Sequence, residues 1–475
     1  MREITRAQIG FADLELGRSV RLDPLRQRIS DFLDRHGELV TAVHRDLSRA
    51  LKHARRGRRG LSAEQVLRSF VLMRTKNWDY RELAERVADG FTLRQFTRFA
   101  GAPVPPHQAF HRAFVRLQAA TLRKINDAVV DAAVKMGLED VEKLRLDTTV
   151  VETAIRCPRD SGLLWDTVRV LSRLVEHIGE LAPAAAEQFP RRTRRAKRRM
   201  QEIGRMRERA QRARSLRRKY RDLITVTTEV IENAEEVKRK ARTMQCAEWL
   251  DTLALQALCE EVTQVVALGR RVIAQSERRV FGGETVPADQ KLYSLFEPHT
   301  DMIKRGKVYK PVEFGHKVLL VESRIGLITD YQVLDGNPID SDQLVPSVRR
   351  HQKRFGKAPR VLAGDRGFHD AAGCETVRGR GVTLVAIPQR GGKRSVEQEQ
   401  FEKSRAFKQA QAFRSGVEGR ISVLFRGRGM KRCLWSGSER FELFLAAAVL
   451  ANNLLVIAAR LQQRPPKAAP LRAAA

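Results

Sequence analysis

KLRLDTTVV, residues 143–151, alternates apolar and polar side chains and ends in β-branched residues, the signature of a strand. Leu144, Leu146, Thr148 and Val150 face one way, and Arg145, Asp147 and Thr149 face the other. The chain on either side of this stretch carries the helical period, so a sheet is expected to begin here.

Strand signals return after residue 300. FGHKVLLVE from Phe314 and GLITDYQVL from Gly326 are joined by the short turn Ser323-Arg324-Ile325-Gly326, which predicts a hairpin. A helix is expected over 340–355, a short buried strand in RVLAGD from Arg360, and another in VTLVAI from Val382, ended by Pro388. Helices over 402–425 and 438–461 close the fold. With 160–290 set aside, the order is strand, hairpin, helix, strand, strand, helices, which is the order of a ribonuclease-H-like sheet. The predicted class is therefore α/β, with a ribonuclease-H-like mixed-sheet core over 141–157 and 292–461. A large α-helical insertion follows the first strand over 158–291, and an α-helical domain precedes it over 61–140. Residues 1–60 read as a helical arm ending in the basic run LKHARRGRRG, and 462–475 as a low-complexity, disordered tail.

The chain has 475 residues, room for about three domains. Its 89 Lys and Arg exceed its 56 Asp and Glu by 33, and 42% hydrophobic residues suffice for real cores, so global disorder is excluded. Such a surplus repels itself unless a polyanion screens it, and points to nucleic acid or an anionic membrane. The stretch FELFLAAAVLANNLLVIAARL from Phe441 approaches membrane length, but Glu442, Asn452 and Asn453 interrupt it. It reads as a buried helix, which leaves nucleic acid as the partner and no membrane. Five cysteines stand far apart without a Cys-x-x-Cys pair, and the first twenty residues place Glu and Asp where a signal peptide needs an apolar core. Both features read as a reducing, cytoplasmic setting.

Cations concentrate in QFPRRTRRAKRRMQEIGRMRERAQRARSLRRKYRDL, residues 188–223. Acidic residues are nearly absent there, so pairing within the helix cannot neutralise Arg191, Arg192, Arg195, Lys197, Arg198 and Arg199, which are expected to hold DNA. Further upstream, Ser62-x-x-Gln65, Asp79-x-x-Glu82 and Thr92-x-x-Gln95 have the capping-box form. Asp89-Gly90 makes a turn between two short helices, compatible with a helix-turn-helix whose second helix, over 92–99, carries Arg94, Gln95 and Arg98 toward a major groove. His316 reads as a strand-face histidine and Trp435 as a core residue. Gly391-Gly392-Lys393 lacks the leading glycine of a phosphate-binding loop, so ATP-driven action is not supported.

Three carboxylates stand where the predicted topology would gather them. Asp147 lies on the strand face opposite the apolar positions, Asp365 ends a buried strand, and Glu418 lies on the helix over 402–425, one turn after Arg414. A cluster of carboxylates is costly unless cations compensate it. Hard oxygen ligands suit two Mg²⁺ ions, with Mn²⁺ as a substitute, and such a pair supports in-line phosphodiester displacement. Each residue alone has a plainer reading: Asp147 as a partner of Arg145 or Arg366, Asp365 as a turn aspartate, Glu418 as an i+4 partner of Arg414.

KLRLDTTVVETAIRCPRDSGLLWDTVRVL, KPVEFGHKVLLVESRIGLITDYQVLDGNPIDSDQL, VLAGDRGFHD and FRSGVEGRISVLFRGRGMKR resemble bacterial insertion-sequence transposases of the DDE type, closest to the ISNCY group. The likeness spans about 61–461. It implies that Asp147, Asp365 and Glu418 are the catalytic metal ligands and that Arg414 contacts the DNA backbone. Related families carry a Tyr seven residues before the Glu and a Lys seven after it; Gln411 and Phe425 stand there in this chain. The resemblance implies a homodimer acting on paired DNA ends, cleaving at terminal inverted repeats and joining the freed 3′-hydroxyl to target DNA. Two other readings stay open: a ribonuclease-H-like nuclease that never joins, and a catalytically inactive DNA-binding descendant of a transposase.

Overall fold

In the computed structural model the alternating stretch forms a strand, β1 (Lys143–Thr153). The structure describes residues 2–5, 21–49, 51, 59–206, 213–304 and 311–463. Most of the basic run before residue 60 and all but the start of the C-terminal tail lie outside them. The protein is mixed α/β with a mixed sheet, and the chain divides into two units: Met1–Glu152 with Lys317–Ala475, and Thr153–His316.

The first unit is built on β1. Its neighbours are β3 (Val312–Ser323) on one side and β5 (Val361–Ala363) on the other. Beyond β3 lies β4 (Ile328–Leu334), antiparallel to it through the expected hairpin. Beyond β5 lies β6 (Leu384–Ala386), and β1, β5 and β6 run parallel. Within this unit the sheet order is thus third, second, first, fourth and fifth strand. The short β7 (Arg432–Cys433) also pairs with β1. The two parallel crossovers are helical: α13 (Leu344–Phe355) precedes β5, and α14 (Ala371–Gly379) precedes β6.

Among the described residues seven helices come before β1: α1 (Pro24–Arg35), α2 (Gly37–Ser48), α3 (Ala63–Lys76), α4 (Tyr80–Asp89), α5 (Phe91–Phe96), α6 (His107–Phe114) and α7 (Ala119–Lys135). Ser62 and Gln65 form the reciprocal capping box that starts α3, and the Asp79 side chain caps α4. The third expected box does not form. Gly90 is both the end of α4 and the start of α5, so Thr92 already lies inside the helix and caps nothing.

These helices share one core with the C-terminal α17 (Ser438–Gln463) and with Val318, Leu320 and Val151 of the sheet, so the boundary expected near residue 140 has no counterpart. The reason is α17 itself, which is apolar on nearly every face and must be covered all round. It is long and apolar enough to cross a membrane, but 89% of its apolar window is buried inside the protein. The two asparagines that interrupt it close the β3–β4 hairpin. Asn453 accepts from the Ile328 N–H at 2.9 Å and donates to the Ile328 carbonyl at 2.9 Å, while Asn452 accepts from Arg420 at 3.0 Å.

The second unit holds α8 (Asp160–Leu181), α9 (Pro183–Ala186), α10 (Thr193–Arg205), α11 (Ala213–Ala241) and α12 (Trp249–Val280). Leu164 and Leu171 of α8, Leu223 and Val230 of α11, and Val262 and Val272 of α12 form its core. This unit also takes in β2 (Asp301–Lys304), paired antiparallel with residues 312–315 of β3, so it extends past the helical block that composition marks out.

In the first unit, α15 (Val396–Lys403) and α16 (Arg405–Ser422) follow β6, and a π-helical turn at Val423–Gly427 ends α16. Glu322 of β3 is fully buried and bonds Arg145 of β1 at 2.7 Å and Arg420 of α16 at 2.9 Å. Two glycines make room for this triad. A Cβ on Gly416 would strike the Arg145 guanidinium, and a Cβ on Gly326, at φ +99°, would strike that of Arg420. Removing the shared carboxylate strands two poorly solvated cations, a change that typically costs about 3–5 kcal/mol. Glu322→Ala is therefore expected to lower the stability of this unit by about 3 kcal/mol or more, read from its urea unfolding midpoint.

Candidate functional site

The parallel register brings two carboxylates level. Lys143, Leu144 and Arg145 of β1 pair with Val361, Leu362 and Ala363 of β5. Carried two residues further, the same offset sets Asp147 opposite Asp365, just past the carboxyl end of β5, where open α/β sheets place their ligands. Asp365 then caps a short 3₁₀ turn, its side chain accepting from the Gly367 N–H at 2.9 Å.

Helix α16 is pinned across these strand ends. Gln411 donates to the carbonyls of Gly364 at 3.1 Å and Ala386 at 2.6 Å, beside Asp365 and at the end of β6. Arg145 donates to the Phe413 carbonyl at 2.6 Å and lies over the Phe413 ring. Arg414, the next residue, is thereby aimed at the aspartates. Its guanidinium stands 3.5 Å from Asp147, 3.8 Å from Asp365 and 3.3 Å from Glu418. All three sequence-derived carboxylates thus converge on one cation. Asp147 is 13% exposed, Asp365 39% and Glu418 71%, so the site deepens from helix to strand.

A fourth carboxylate was not singled out from sequence. Asp340 accepts from the Thr148 hydroxyl at 2.9 Å and pairs with Lys317 at 2.7 Å. Burial, with the negative charges of Asp365 and Asp340, pushes Asp147 up to about 6, although Arg414 opposes the shift. Asp340 opens the helix expected over 340–355, and nothing local marks it as a site residue; only the closed fold brings it to β1.

The donor set suits a hard divalent cation in kind, since carboxylate oxygens are the preferred ligands of Mg²⁺ and Mn²⁺. It suits one in direction too, because the three groups already surround a positive charge. Among the described residues no three acidic, histidine or cysteine side chains are gathered tightly enough to share an ion as they lie. Arg414 stands between them, and its Nε is buried without a hydrogen-bond partner, so the guanidinium is incompletely satisfied where it sits.

The basic helix divides its cations. Ala196 and Ile203 of α10 face the core, and the side toward α11 is paired. Arg195 and Arg199 both bond Asp222, Arg192 bonds Glu229 at 3.3 Å, and Lys219 bonds Glu202 at 2.6 Å. The expectation that these cations stay unneutralised is corrected for Arg192, Arg195 and Arg199, because the counter-charges come mainly from the next helix. Arg191, Lys197 and Arg198 are exposed and unpaired among the described residues, together with Arg194 and Arg205. The helical period away from Ala196 and Ile203 marks out Arg194, Lys197, Arg198 and Arg205 as the free face.

The proposed groove-readers have internal partners. Arg94 donates to the carbonyls of Ala100 at 2.7 Å and Ala102 at 2.8 Å, and Arg98 bonds Asp34 at 2.7 Å and Glu64 at 3.1 Å. Both hold helices together, and α5 ends at Phe96 instead of continuing to residue 99. His316 is buried, bonded to His299 at 2.7 Å and to Asp301 at 3.0 Å. Trp435 packs between Phe70 and Phe444.

Because Asp147 holds a proton more tightly when folded than its ordinary value of 3.8 allows, stability is expected to fall as pH rises from about 4 through about 6. A displacement of that size is worth about 3 kcal/mol. Asp147→Asn is expected to melt higher than the parent protein at pH 8, with the difference closing at pH 4 in parallel thermal scans.

No family model, curated protein or solved structure matches this chain.

Proposed function

We propose that this chain is a DNA transposase of the DDE type, built on a ribonuclease-H-like sheet and cutting and rejoining phosphodiester bonds at the ends of a mobile element. The observation that carries the reading is the convergence of Asp147, Asp365 and Glu418 on Arg414 from two adjacent strand ends and one crossing helix. The strand order third, second, first, fourth, fifth agrees with that sheet type. The unpaired cations of α10, in a chain of net charge +33, supply the polyanion affinity such an activity needs.

Asp147, Asp365 and Glu418 would hold two Mg²⁺ ions, which when bound generate a nucleophile from water or a 3′-hydroxyl and stabilise the departing oxygen. The chain's own residues do the rest. Asp147 is set rigidly by β1, with Thr148 tied to Asp340 and Lys317 balancing Asp340 behind it. Glu418, mostly exposed on the helix, has freedom to adjust as a strand arrives. Arg414, released from the carboxylates, lies where a scissile phosphate would pass, and its forked donors suit phosphate oxygens. Gln411 occupies the position of a tyrosine in related families and ties α16 to the strand ends, a scaffolding part in place of a DNA contact. The exposed face of α10 would grip duplex away from the chemistry, and two copies would bring two ends together.

Asp365→Asn is expected to abolish nicking of a DNA substrate carrying the element's terminal repeats while leaving its binding intact; cleavage at the parental rate would remove Asp365 from the mechanism. In the parent protein, joined products must accompany the nicks, since nicks alone would mark a nuclease. Replacing Arg194, Lys197 and Arg198 together by Ala is expected to flatten the salt dependence of duplex binding by nearly three units of slope, at about 0.9 per lost phosphate contact. The matching triple change at Arg192, Arg195 and Arg199, whose charges are already paired, should alter that slope much less.

A further inference from the structure

We infer that a cleft within the second unit binds an unpaired nucleotide of a DNA strand. The cleft has a volume of about 700 Å³ and lies among the ends of α8, α10, α11 and α12 and the residues around Tyr293. Among the described residues it is lined by four cations and a single carboxylate, and that carboxylate is already committed. Asp160 accepts from Arg279 at 2.5 Å and from Gln275 at 3.0 Å. Arg279 is in turn occupied by Asp160 and by the Tyr220 hydroxyl at 3.1 Å. The side chains of the other three cations, Arg159, Arg217 and Lys291, make no ion pair or hydrogen bond among the described residues. Three uncompensated charges around one cavity favour an anion strongly.

The rest of the lining gives the ligand a second property. Leu216, Met302 and Phe314 are only partly covered by protein and line the same cavity, with Phe314 packed against Tyr293 at 5.4 Å between ring centroids. A free phosphate has no use for such a surface, whereas a nucleobase buries its faces on it while its phosphate meets the cations. The cleft is too small to admit a duplex, so the base must be unpaired. Its position also fits, because Arg217 lies on the α11 turn that carries the exposed Arg214 and Arg218, a continuous cationic approach for a strand.

The inference rests on the nucleic-acid part of the proposed function and on none of its chemistry. The test measures fluorescence anisotropy of the full chain with two probes, a labelled strand of twelve thymidines and a labelled mixed-sequence duplex. Arg217→Ala with Lys291→Ala is expected to weaken single-strand binding at least about tenfold and to leave duplex binding within about twofold, which also shows that the variant is folded. Arg194→Ala with Lys197→Ala and Arg198→Ala is expected to weaken duplex binding instead. In competition against the single strand, thymidine 5′-monophosphate should displace the probe at lower concentration than inorganic phosphate. Equal loss on both probes, no loss on either, or equal displacement by phosphate and nucleotide would overturn the inference while leaving the transposase reading intact. Failure of the parent protein to bind either probe would remove both.

Discussion

The buried carboxylate of Glu322 holds the first unit in its working shape. It sits in β3 with no exposure and bonds a guanidinium from β1 on one side and from α16 on the other. A buried ion pair is weak evidence for net stability, since desolvation offsets most of the Coulombic gain, but it is demanding about geometry. Both arginines tie α16 to the sheet through Glu322, and the absent Cβ atoms of Gly416 and Gly326 leave room for their guanidinium groups. Arg145 then extends to the Phe413 carbonyl, so the residue that anchors the helix also fixes the backbone immediately before Arg414. The distance from a buried structural charge to the carboxylate cluster is a single peptide bond along the helix.

That coupling explains why the strand was legible in the sequence and its far face was not. Alternation correctly set Leu144 and Leu146 against Arg145 and Asp147, and the hairpin, the first crossover helix and both short parallel strands followed from periodicity and turn residues, whereas the second crossover helix, Ala371–Gly379, was not expected. What covers the polar face was not legible. In the structure Arg145 is 9% exposed, because Glu322 supplies a counter-charge and α16 a roof. The partner lies 177 residues away in the chain, and no local pattern encodes it. Asp340 escaped notice for the same reason, being the first residue of a short 3₁₀ turn whose importance comes from Thr148 and Lys317.

The cationic helix teaches a related lesson about counting charges. Summed over α10, arginine and lysine greatly outnumber acids, but neutralisation happens between helices, where Asp222 takes two arginines and Glu202 takes a lysine. What remains uncompensated is decided by the helical period, one face packed, one paired and one free. In the N-terminal helices Arg94 and Arg98 resemble groove-reading residues in sequence, yet close short loops and helix contacts. Short helices leave carbonyls without partners, and Arg94 satisfies two such carbonyls beyond α5.

The same accounting, applied to the carboxylate cluster, gives the opposite sign. Among the described residues Asp147, Asp340, Asp365 and Glu418 meet two cations, Arg414 and Lys317, which leaves two negative charges when all are ionised. In a chain with a surplus of 33 positive charges, such a deficit is not a matter of supply. A third basic residue could balance the group as Asp222 and Glu229 are balanced elsewhere. Instead burial and the neighbouring carboxylates raise Asp147 toward neutrality, and the structure bears the cost. The carboxylates at these strand ends therefore stay under-compensated in an otherwise strongly basic chain, and that imbalance is the electrostatic ground on which the proposed cation site rests.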